Sequence, residues 1–163
     1  EEKEGALDAK GKAELKAYAA RLDVLLSDRQ GTKEALSSAK DVLLLSVDAL
    51  RRAIIQSRKA LEMVAVGERK LPNLPNGVKG KWFASRIHDV AVSHMQALEN
   101  AGTDPVIVKT RATLKSAIDT FVKARSELRN QQFAWKNLKT ETANELEVIG
   151  GKLAGYRTFA EDI

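Results

Sequence analysis

Cysteine is absent from the 163-residue chain. That excludes disulfides, thiolate zinc sites, iron–sulfur clusters and cysteine nucleophiles, but it does not assign a compartment. Aromatic residues make up only 5% of the chain, against 44% hydrophobic residues in total. A core must therefore be built from Leu, Ile, Val and Ala. Three prolines and ten glycines are few for this length. With Ala, Leu, Lys and Glu abundant, that scarcity favours helix over sheet. No apolar run approaches the roughly 18 residues a membrane span needs. A secretory signal pattern is also missing. The chain begins at Glu1 and not at Met, which is compatible with a processed form or a piece of a longer protein.

Apolar spacing supplies the positive evidence. A seven-residue ladder runs through Leu15, Leu22, Leu36, Leu43, Leu50 and Val64, with Arg29 and Ser57 as polar rungs. Companions fall three or four residues on, at Leu25, Ala39, Val47, Ile54 and Leu61. A second ladder holds Ile107, Leu114, Phe121, Leu128, Trp135 and Ile149, with Thr142 polar. A shorter stripe joins Phe83, Ile87, Val90, Ala91 and Leu98. This is the period of helices with one buried face.

Punctuation sets the expected boundaries. Gly31-Thr32 reads as a helix end and a new N-cap. Pro72 and Pro75 stop a helix. Gly102 followed by Thr103-Asp104-Pro105 reads as a stop, a cap and a restart. Gly150-Gly151 reads as a final stop, with a short helix after it through Leu153, Tyr156 and Phe159. These signals predict helices over 4–29, 32–69, 80–101 and 105–149. The expected fold is one all-α domain over 1–163, an elongated up-and-down bundle of four main helices. The alternative is a long antiparallel helical hairpin, or coiled coil, with its tip at 70–83. It arises because the first ladder passes Gly31 without losing phase. A continuous helix of about 65 residues would rise about 95 Å.

Catalytic patterns are few. His88 and His94 lie six residues apart and do not share a face for one metal. His94 falls on the apolar stripe, where a satisfied core histidine is expected. Glu141 and Glu145 form an i,i+4 carboxylate pair, with Glu147 nearby, and Asp41 and Asp48 share a face. Solvated helix faces explain both sets without acid–base chemistry. The Gly77–Lys81 stretch lacks the strand and the Lys-Ser/Thr ending of a nucleotide loop. No serine sits in a Gly-rich elbow. The expectation is therefore a non-enzymatic protein without a cofactor, a metal or a small-molecule substrate.

Two surfaces stand out instead. Val42–Ile55 is apolar on more than one side, with Leu44, Leu45 and Ile55 off the main stripe. They form a candidate oligomer face. The second surface is basic. Residues 49–90 carry 9 basic and 3 acidic side chains, a local +6 in a chain of net +5. Arg51, Arg52, Arg58, Lys59, Arg69, Lys70, Lys79, Lys81 and Arg86 cluster there with Trp82. Such a group can attract an anionic surface, either nucleic acid or acidic lipid. The leading expectation is a helical interaction or scaffold module, acting on a protein partner or on itself. Anion-surface binding through 51–86 is the alternative.

Overall fold

A computed structural model shows how these signals resolve. It describes residues 2–64 and 81–161, with side chains described over 9–64 and 84–155. The described residues form three helices: α1 over Glu2–Val64, α2 over Lys81–Glu99 and α3 over Pro105–Glu161. No strand occurs among them. The all-α class holds.

The expected count of four helices does not hold, because the chain does not turn at Gly31. Gly102 is the one glycine with a left-handed backbone, at φ 97°, among the described residues. Gly31 is thus helical and forms no αL cap. Thr32 behaves as a mid-helix threonine, its hydroxyl donating to the Asp28 carbonyl at 2.8 Å. Gln30 and Glu34 are joined across the glycine by a 2.7 Å side-chain hydrogen bond. An interior glycine costs only about 1 kcal/mol against alanine, which a 63-residue helix with a continuous apolar ladder absorbs. Gly150-Gly151 likewise fails to end α3, which runs on to Glu161. The expected short terminal helix is the end of α3 itself.

The turn between α2 and α3 follows its sequence signals. Gly102 takes the positive φ that ends α2. Asp104 caps α3, its carboxylate accepting from the Val106 N–H at 2.8 Å. Pro105 occupies the first helical position, where its missing N–H costs nothing.

The chain folds into two compact units. Residues 38–129 form a three-helix unit from the end of α1, all of α2 and the start of α3. Its core joins Leu50, Ile54 and Leu61 of α1, Ile87, Ala91 and Leu98 of α2, and Ile107, Leu114 and Phe121 of α3. Ser57 lies in the same buried face, its hydroxyl satisfied by the Ile54 carbonyl at 3.0 Å.

Residues 1–37 and 130–163 form the other unit from the start of α1 and the end of α3. Its buried side chains are Leu25, Ile149 and Thr142, the last donating to the Leu138 carbonyl at 2.7 Å. The helices run antiparallel here. The Arg29 guanidinium stacks 5.4 Å over the Trp135 ring. Two turns earlier, Arg21 meets Glu141 at 3.0 Å and Glu145 at 3.5 Å.

Candidate association surface

In the three-helix unit, the buried midline of α1 passes through Leu50 and Ser57, both fully buried. Successive helical residues turn by about 100°. Leu44, Leu45 and Ile55 therefore project away from that midline. They are 53%, 69% and 41% exposed. All three lie on the outward side of α1, Leu44 and Leu45 adjacent and Ile55 about 15 Å further along, with Asp41, Asp48, Arg52 and Lys59 also exposed among them. Isolated exposed apolar side chains are ordinary on a protein surface. Here three fall within three turns of one helix, interleaved with charged side chains.

The basic set is divided. Arg51 and Arg58 share one line along α1, and Arg52 and Lys59 the next, about 100° around the helix. Arg58 pairs along the helix with Glu62 at 3.6 Å. Arg86 is exposed on α2. Arg69, Lys70 and Lys79 lie outside the described residues, and so does the 70–80 part of the expected tip. Lys81 and Trp82 open α2, but their side chains are not described.

His94 is buried, as its place on the stripe suggested. Its Nδ1–H donates to the Val90 carbonyl at 2.8 Å, which leaves Nε2 as an acceptor with no partner. Burial lowers its pKa below the usual histidine value. The Val90 bond opposes that shift, and the nearby positive charge of Arg58 adds to it. His88 is half-buried and stacks on Phe121, with ring centres 6.0 Å apart. The two histidines do not converge on one point. Glu141 and Glu145 converge on Arg21, so the carboxylate pair is matched by a cation at the surface. Among the described residues, no group of three His, Asp or Glu side chains is placed to hold a metal. No helix among them is long and apolar enough to cross a membrane.

An open groove of about 620 Å³ runs between α1 and α3 in the three-helix unit, with no signal of it in the residue pattern. Ala49, Arg52 and Ala53 line one wall and Ala112, Ser116 and Ala117 the other. Small residues at helical spacing carry no distinctive signal, and only the packing of two distant segments makes them a groove. Comparison with family models, with curated proteins and with solved structures finds no match for this chain.

Proposed function

We propose that the protein is a non-enzymatic helical module that associates with a protein partner through the outward face of α1. The observation that carries this reading is the exposure of Leu44, Leu45 and Ile55 on the side of α1 turned from its core. Burying an exposed leucine or isoleucine contributes about 1.5–3 kcal/mol. Three such side chains on a rigid helix offer a preorganised apolar anchor, with charged residues around it to set partner and register. The helix beneath them is held by the three-helix core, so little order is lost on binding.

Site-specific photocrosslinking tests the reading. A benzophenone side chain placed at Leu45 and irradiated in native extract is expected to give discrete adducts. The same group at Val122, which is also exposed but lies on α3, is expected to give far fewer. Adding Leu44→Lys and Ile55→Lys to the Leu45-labelled chain removes the adducts. Equal yields at the two positions, or none at Leu45, overturn the reading.

A further inference from the structure

The outward face of α1 carries a charge pattern that is its own complement. Asp41, Leu45, Asp48, Arg52, Ile55 and Lys59 follow one another at intervals of four, three, four, three and four residues. That alternation is the seam spacing of a coiled coil. All six are exposed. The buried midline through Leu50 and Ser57 lies on the opposite side of the helix, so this seam is separate from the one that builds the core.

Acids occupy the first half of the seam and bases the second. We infer that α1 pairs through this seam with α1 of a second copy of the chain, antiparallel, with the two-fold axis crossing the seam at the level of residue 50. In that alignment Asp41 faces the second copy's Lys59, Leu45 faces its Ile55, and Asp48 faces its Arg52. Each layer then occurs twice by symmetry, as an isologous contact requires. Parallel alignment in register instead places Asp41, Asp48, Arg52 and Lys59 each against its own like charge. Every ionic layer becomes repulsive, which selects the antiparallel arrangement.

Among the described residues, none of these four charged side chains makes an ion pair within its own chain. They are open to an intermolecular one. The seam from Asp41 to Lys59 covers about 27 Å of helix, which is short. Only Leu45 and Ile55 are apolar in it, with Leu44 alongside. Arg51 lies at one edge, near its own counterpart across the axis. These features describe a weak, reversible dimer rather than an obligate one.

The inference rests on the association reading above but fails separately from it. Sedimentation equilibrium of the full chain from roughly 10 µM to 1 mM is expected to show a monomer–dimer equilibrium. Arg52→Glu places like charges at both central ionic layers and weakens the dimer about tenfold or more. Adding Asp48→Arg to that variant restores the pairing and most of the affinity. Because the chain has no cysteine, orientation can be read directly. An equimolar mixture of Leu45→Cys and Ile55→Cys chains is expected to oxidise to the mixed disulfide in preference to either like pair. Helical content by circular dichroism checks that each variant is folded. A monomer throughout the concentration range overturns the inference. So does a dimer indifferent to Arg52→Glu, and so does a preference for the like disulfide between two Leu45→Cys chains. A monomer that still gives adducts from position 45 rejects the second copy and keeps the association reading; a monomer without adducts rejects both.

Discussion

The two units are built from the same two long helices, yet they are held in different ways. The three-helix unit has a third layer, α2, and its core is a connected cluster of 13 buried residues. The two-helix unit has no third element among its described residues and buries only Leu25, Ile149 and Thr142 among its described side chains. Leu26, Phe133 and Leu146 remain more than half exposed there. Beside this small core it has a half-buried contact, Arg29 over Trp135, and an exposed one, Arg21 between two glutamates. Exposed ion pairs contribute about 0–1 kcal/mol, and a half-buried cation–π contact such as Arg29 on Trp135 about 0.5–2 kcal/mol. Two helices can each bury only a narrow stripe against the other; a third helix encloses the stripes of both. Among the described residues, buried packing is therefore concentrated in 38–129.

The largest expected effect tests that contrast. Phe121→Ala removes a fully buried ring at the centre of the cluster and should cost about 3–5 kcal/mol. Leu25→Ala should cost distinctly less, near or below the low end of the roughly 2–5 kcal/mol range for leucine truncation, because its surroundings are thin enough to collapse. Urea denaturation of both variants measures the difference. Equal losses would show that the two units are packed alike.

Acid should weaken the three-helix unit through His94. The folded-state pKa of His94 lies below its unfolded value of 6.5. Between those two pKa values the unfolded chain binds more protons, so stability rises with pH there. The contribution of a neutral His94 is complete well above an unfolded pKa of 6.5. It is lost progressively as pH falls below that value toward the lowered folded pKa. Thermal unfolding from about pH 8 to about pH 5 should show that decline, and His94→Leu should flatten it. A wild-type profile unchanged by the substitution would show that His94 does not set the acid response.

Gly31 gives the smallest effect and the sharpest test of α1. A Cβ added there meets nothing within 4 Å. In a continuous helix Gly31→Ala should stabilise by about 1 kcal/mol. If residue 31 were a helix-ending turn, the same change would destabilise. A guanidinium denaturation midpoint decides the sign.

The residues differ in how openly they announced their roles. Gly102, Asp104 and Pro105 did so fully, because capping and turning are local chemistry within a few residues. Leu50, Leu114 and Phe121 were legible as core because period alone marks a buried face. Gly31 misleads for a related reason: its local signal says stop, while the apolar phase on either side says continue, and a cost of about 1 kcal/mol does not end a long helix. Leu15, a rung of the same ladder, is 38% exposed, since period marks a face but not what covers it. The Arg21–Glu141 contact and the α1–α3 groove left no trace in the sequence, for their partners lie far apart along the chain.

Residue order alone makes the chain helical, marks which faces are apolar, and sets where α2 gives way to α3. It also contains the charge order along α1, acid before base about Leu50. Tertiary structure decided which apolar faces found cover. The stripe through Leu50 did, because α2 and α3 close over it. Leu44, Leu45 and Ile55 did not, because a helix packed on one side leaves its opposite side to solvent. That remaining face is where the proposed association, and its antiparallel register, are to be tested.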